Sequence, residues 1–310
     1  MTTDWSSGDP IAELRFALAE AQSAAPARAF RDRLLSGAMA QRSPGMPARP
    51  SDFVSGAETM RRQTSRLAGL LAGLEPVEWA RETVRGLDVQ GLIGHLIGVE
   101  VAFAATLQGD VGAADADHVE STNAMALRQL GRPTGQTLRD WTLAVERTLA
   151  LLDQETDHAR PVRFHGFELA LDAFLLIRSF ELWTHEEDVR RATGRPLLDP
   201  EPETLNRMTD LATMLLPAGI TRVGGAPEEV TARLVLTGPG GGAWDVPMAG
   251  GRVARATAGS RCEAHIVVDA AAFCRVVANR GDLERSGAVV TSDAALARTL
   301  FAGAAALALD

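Results

Sequence analysis

The sequence predicts an α+β protein of more than one domain, a four-helix bundle followed by a small α+β domain. Three observations carry that expectation. The chain has 310 residues, beyond the roughly 100 to 200 that one hydrophobic core usually serves. From Ser51 to Gly194 apolar residues recur at helical spacing over four long stretches. Beyond "GRPLLDPEPE" the pattern changes to short β-type runs interleaved with helices. The expected division is a helical N-terminal arm and linker over 1–50, the bundle over 51–198 and the α+β domain over 199–310.

The arm contains two stretches of helical periodicity, "IAELRFALAEAQS" and "RAFRDRLLSGAMAQ", and ends where "RSPGMPARPSD" sets three prolines and a glycine against any helix. The first bundle helix, within "SDFVSGAETMRRQTSRLAGLLAGLEP", stops at a proline. The second, "LDVQGLIGHLIGVEVAFAATLQG", opens at a candidate N-cap, Asp88, and closes at Gly109. "TLRDWTLAVERTLALLDQE" and "FELALDAFLLIRSFELWTHEEDVRRATG" complete the bundle. In the last domain a helix, "ETLNRMTDLATMLLP", leads into the runs "TARLVLTG", "AWDVPMA", "AHIVVD" and "GAVVTS". Two helices, "AAAFCRVVANR" and "DAALARTLFAGAAALAL", lie between and after them. The glycines of "GPGGG" precede strand periodicity rather than a helix, so a hairpin turn is expected there and not a phosphate cradle.

Composition narrows the function. An apolar share of 46% with 23% charged residues can bury a core. The net charge of −9, with no basic stripe, argues against a nucleic-acid partner. There is no lysine and no tyrosine, which removes a Walker A lysine, Schiff-base chemistry and a tyrosine general acid. Cys262 and Cys274 are too few for a disulfide framework or a Cys-rich zinc site, and are expected to be reduced and buried. No stretch approaches about 18 uncharged apolar residues, and the N-terminus lacks a signal-peptide pattern, so a cytoplasmic location without a membrane partner is expected.

The stretch "RSFELWTHEEDVRRATG" carries the chemistry. In a helix Glu181 and His185 project side by side, with Arg178 a turn before and Asp188 a turn after. Such a pair could hold a metal ion or form a polar helix edge. His95 in "GLIGHLIG" lies on the apolar stripe of Leu92, Leu96 and Val99, either as a hydrogen-bonded core histidine or as a third ligand. Gly91, Gly94 and Gly98 surround it. Each interior glycine costs about 0.5–1 kcal/mol relative to alanine, so three in two turns leave space for a close helix or for a substrate reaching the site. The glycine face is expected to border a metal pocket. Asp188 could accept the free ring N–H of a metal-bound His185, or stand on the surface. Arg178 could pair with Glu181 or hold an anionic substrate. His118 and His158 fall in polar segments and are expected to face solvent, whereas His165, just before the fourth helix, could approach the site mouth.

Together "GLDVQGLIGHL", "RSFELWTHEEDVRRATG" and "LVLTGPGGGAWDV" resemble the mycothiol-dependent maleylpyruvate isomerase family over about residues 52–310. The resemblance implies a DinB-like metal-binding bundle joined to a sterol-carrier-like α+β domain. It implies His95, Glu181 and His185 as ligands of a divalent metal such as zinc, mycothiol as the thiol co-substrate, and a small-molecule substrate. It also implies a catalytic arginine from the last domain, Arg280 or else Arg275, placed to pair with a substrate carboxylate. Leu87 where the family often has an aromatic, and Ser292-Asp293 where it often has Gly-Asp, are departures that bear on the substrate.

The donor set supports that chemistry by itself, because two imidazoles and a carboxylate with an open position suit a catalytic zinc. A metal-bound thiol is deprotonated outright. The expected activity is metal-dependent transfer or isomerisation of a small, anionic substrate with a low-molecular-weight thiol as nucleophile. The same donors also suit a non-haem iron redox enzyme. A non-catalytic small-ligand binding protein is the remaining alternative.

Overall fold

The computed structural model describes residues 54–308, apart from 111, 113–117, 166, 227–229 and 258. All of these belong to one compact unit. The helical arm expected over 1–50 lies outside the described residues.

The helix α1 (Gly56–Ala72) starts at Ser55, whose hydroxyl accepts a hydrogen bond from the Glu58 amide at 3.2 Å, and buries Met60, Leu67 and Leu71 along one face. Helix α2 (Val89–Leu107) starts at Asp88, as its sequence predicts, with the carboxylate accepting from the Gly91 amide at 2.7 Å. By length and composition alone α2 could span a bilayer, but 78% of that window is buried inside the fold, so here it is the core helix. Helix α3 (His118–Gln129) was not expected from the sequence and lies against α2. Helix α4 (Thr134–Asp153) follows.

The next element corrects the sequence reading. The segment Phe167–Ala170, expected at the start of the fourth bundle helix, is a strand, β2, paired antiparallel with β1 (Pro161–Phe164). Helix α5 (Leu171–Ala192) begins only afterwards. Pairing with β1 satisfies the backbone of these four residues, and a tertiary partner outweighs weak helical propensity. Leucine, phenylalanine and tryptophan residues of α1, α2, α4, α5 and the hairpin form one core.

Helix α6 (Pro202–Arg222) opens the second layer. Five strands follow, β3 (Thr231–Thr237), β4 (Gly242–Pro247), β5 (Ala254–Arg255), β6 (Ala264–Asp269) and β7 (Val289–Ser292), in the order β5-β4-β3-β6-β7. The "GPGGG" glycines form the turn of the antiparallel β3–β4 hairpin. Gly238 and Gly240 have φ of +81° and +73°, a region that favours glycine. β3 and β6 are parallel, and β7 pairs antiparallel with β6. Alternate residues, among them Leu234, Leu236, Trp244, Ile266 and Val268, enter a second core with α6, α7 (Ala270–Val277) and α8 (Ala294–Ala305).

Trp183 of α5 belongs to this second core, and its indole N–H donates to the Leu198 carbonyl at 3.1 Å. Arg275 crosses from α7 to clasp Glu187 at 2.6 and 2.9 Å and Asp199 at 2.7 Å. The α5 helix therefore serves both cores.

Candidate metal centre

Three side chains singled out in the sequence converge. His95 comes from α2, Glu181 and His185 from successive turns of α5, and one ligand atom from each lies within 4.8 Å of the others. His95 Nε2 is 3.2 Å from Glu181 Oε1, and the two imidazole rings stand nearly perpendicular, 5.5 Å apart. Both histidines are almost fully buried.

Each imidazole is oriented through its other nitrogen. His95 Nδ1 bonds Thr122 Oγ1 at 2.9 Å, and His185 Nδ1 bonds Asp188 Oδ2 at 3.1 Å. Arg280 then grips Asp188 with two N–H donors, at 2.9 and 3.0 Å. Of the two places open to Asp188 in the sequence, it takes the buried one beside His185 and not the surface. Burial opposes its ionisation, but His185 and Arg280 outweigh that and hold its carboxyl below the ordinary range. Burial lowers the pKa of His95 despite the opposing pull of Glu181, which keeps its imidazole neutral at physiological pH. The neutral His95 imidazole, the Glu181 carboxylate and the hydrogen-bonded Nδ1 atoms of both histidines suit metal ligation. These residues fit a divalent ion with three protein donors and an open position.

Glu181 is held from behind. Arg178 bonds both Glu181 and Glu100, the latter at 2.6 Å, and Thr148 donates to the second Glu100 oxygen at 2.8 Å. Burial disfavours the Arg178 charge, but Glu181 and Glu100 outweigh it and raise its pKa. Arg178 is 1% exposed, so its part is a buried ion pair and not the capture of a free anion.

Several expectations need correction. Arg280 does not offer its guanidinium to a substrate carboxylate, because Asp188 already occupies it, and it does not line the cavity beside the site. Arg275 is likewise taken by Glu187 and Asp199. Gly94 and Gly98 do not border that cavity. A Cβ on Gly94 would lie 2.7 Å from Ala126 Cα, and one on Gly98 would lie 3.0 Å from Thr122 Cα, so the glycine face admits α3 in place of a cofactor. That close approach brings Thr122 onto His95. Cys274 is buried as expected, with burial pushing its thiol pKa up. Cys262 is only half-buried and sits 2.9 Å from His265 Nε2. The side chain of His118 lies outside the described residues, and His158 is half-buried instead of solvent-facing.

A cavity of about 280 Å³ opens beside Glu181 and His185. Its wall draws on α5, on the β1–β2 hairpin, on α6 and on the C-terminal residues Leu307 and Ala308. His165, which the sequence left as a residue that could approach the site mouth, stands in the wall, its ring tilted by 43° to that of Phe164 with centroids 3.8 Å apart. Sequence reasoning missed Glu100, Thr122 and Arg222, the last of which also borders the cavity. Glu100 carried a signal, a carboxylate in an otherwise apolar helix five residues after His95.

Fold and site define a helix bundle with a buried His–Glu–His cluster, joined through its last helix to an α+β domain. Residues 60–190 match the family model described as the mycothiol maleylpyruvate isomerase N-terminal domain. Two crystal structures of a mycothiol-dependent maleylpyruvate isomerase, one of them of a histidine-to-alanine mutant, share the fold at a TM-score of 0.54. They are 14% and 15% identical, and the match covers 76% of this chain and 91% of theirs. No curated protein sequence matches this chain.

Proposed function

We propose that this chain is a metal-dependent enzyme that uses a low-molecular-weight thiol, mycothiol by its family, for transfer or isomerisation on a small molecule. The observation that carries the reading is the approach of one donor atom each from His95, Glu181 and His185 to within 4.8 Å, with both Nδ1 atoms engaged elsewhere. A divalent ion such as zinc, held by these three, would supply a thiolate at neutral pH without a protein base. The chain's own residues do the rest. Arg178 fixes the Glu181 carboxylate, Asp188 and Arg280 fix the His185 ring, and Thr122 fixes that of His95. The apolar side chains of the cavity wall would lower the polarity around the nucleophile.

Metal analysis of the purified protein, followed by the cobalt-substituted spectrum with and without mycothiol, tests the reading. One divalent ion per chain and a thiolate-to-cobalt band on adding mycothiol are expected. Full metal occupancy in each of His95→Ala, Glu181→Ala and His185→Ala, or no spectral response to the thiol, would sink it. Two histidines and one carboxylate equally suit non-haem iron. Iron in place of zinc, with redox turnover in the absence of thiol, would favour that second reading.

A further inference from the structure

The cavity beside the His–Glu–His cluster bears on what enters it. Its wall along α6 includes Leu211, Leu215, Ala218 and Arg222, spaced four, three and four residues apart and therefore on one helix face. At 1.5 Å per residue that stripe is about 16 Å long, with the arginine at its end. Phe164, Phe167 and Leu169 of the β1–β2 hairpin add to an apolar lining. Two arginines border the space, and they differ in their commitments. Arg178 is bonded to Glu100 and Glu181. Arg222 bonds the Ala306 carbonyl at 2.8 Å and has no carboxylate partner among the described residues. Glu168 and Glu181, also in the wall, add negative charge.

Among the chain's own side chains a small dianion would meet only one wall cation without a carboxylate partner, Arg222, and its second charge would be stripped of water against phenylalanine and leucine side chains, which is costly wherever no metal ion balances it. An elongated molecule with an apolar body and one anionic end satisfies both features of the wall. We propose that the ligand of this cavity is such an amphipathic monocarboxylate, its chain lying along the α6 stripe and its carboxylate at Arg222. Describing it as the substrate rests on the functional reading above; its binding does not.

Isothermal titration of the full chain with hexanoate, octanoate, decanoate, 1-decanol and maleate tests the assignment. Affinity should rise about fourfold per methylene through the carboxylate series, the ratio set by burying a CH₂ group. Arg222→Glu should weaken decanoate about three- to tenfold and leave 1-decanol unchanged, as loss of an exposed charge contact would. Ala218→Trp should weaken both. Ala218 and Arg222 are exposed, so the fold tolerates these changes, and the length series on the wild-type chain needs no variant. Affinity independent of chain length, maleate binding tighter than decanoate, or equal loss of decanoate and decanol in Arg222→Glu would overturn the proposal. Metal content and the cobalt response to mycothiol, measured on the same preparation, separate the two readings. A chain that responds to metal and thiol but binds no carboxylate overturns the ligand class alone. One that binds decanoate without either response upholds the cavity assignment and overturns the enzymatic reading.

Discussion

At the scale of single residues, the site is a chain of hydrogen-bonded charges in which each ligand has a supporting partner. Asp188 is the clearest case, since it joins His185 to Arg280. Partners of this kind typically contribute about 10- to 100-fold in metal affinity. Asp188→Asn should therefore weaken zinc binding by that factor, as read by competition with a chromophoric chelator, while the chain stays folded; unchanged affinity would make Asp188 a bystander. Arg178 belongs to stability more than to binding. Its replacement by methionine leaves Glu100 buried and without its cation, an arrangement that typically costs about 3–5 kcal/mol. Urea denaturation would measure it, and a loss below about 1 kcal/mol would mean that water reaches Glu100.

Among the elements, glycines divide by what surrounds them. Gly94 of α2 is pressed against the α3 backbone, so Gly94→Ala must push the helices apart and should cost about 1–3 kcal/mol, despite the better helix propensity of alanine. It should also loosen Thr122 from His95 and lower metal affinity. Gly69 of α1 has open space where a Cβ would stand, so Gly69→Ala should stabilise the protein by about 0.5–1 kcal/mol. Paired thermal melts check both signs. The sheet offers a pH test. Arg233 on β3 faces Asp245 on β4 and bonds it at 2.8 and 3.0 Å, with Ser260 adding a third bond at 2.6 Å. Burial raises the Asp245 pKa, but these bonds outweigh it and hold the carboxyl below the ordinary aspartate range. The stabilisation is then fully present above the unfolded value of about 3.9 and is lost as pH falls through the lower folded value. Asp245→Asn should melt below wild type at pH 7, and the two curves should converge as pH falls through the lowered folded value.

For the whole molecule, the seam between the two cores determines how the parts respond to a ligand. Trp183 is buried in the second core, and Glu187 and Asp188 are bonded to arginines that follow β6, although all three lie on the helix that carries Glu181 and His185. Binding at 100 times the dissociation constant stabilises the folded state by about 2.7 kcal/mol. With the seam intact, zinc should shift a single calorimetric transition as one. A second, unshifted transition from the α+β part would show that the cores melt independently, as a division near residue 199 into self-standing domains would require.

The bundle helices, the β3–β4 turn and the ExxxH pair were legible in the sequence because they depend on local rules: apolar residues at helical or alternating spacing, glycines that admit positive φ, and side chains four apart on one helix face. His95 could be named as a candidate, but nothing local says that α2 brings it to Glu181, 86 residues away. The roles of the glycines and of Arg280 depended on partners. Gly94 and Gly98 read equally as space for a ligand or for a helix until α3 filled that space. Arg280 read as a substrate anchor until Asp188 was found holding it. Strands β1 and β2 and the α6 stripe ending at Arg222 are unremarkable as local sequence and become a cavity wall only together. The sequence determined which side chains could do the chemistry, because reactivity and local geometry are properties of residue type and spacing. Tertiary structure alone decided which of them meet, because contacts between distant segments are set by packing that no short stretch of chain encodes.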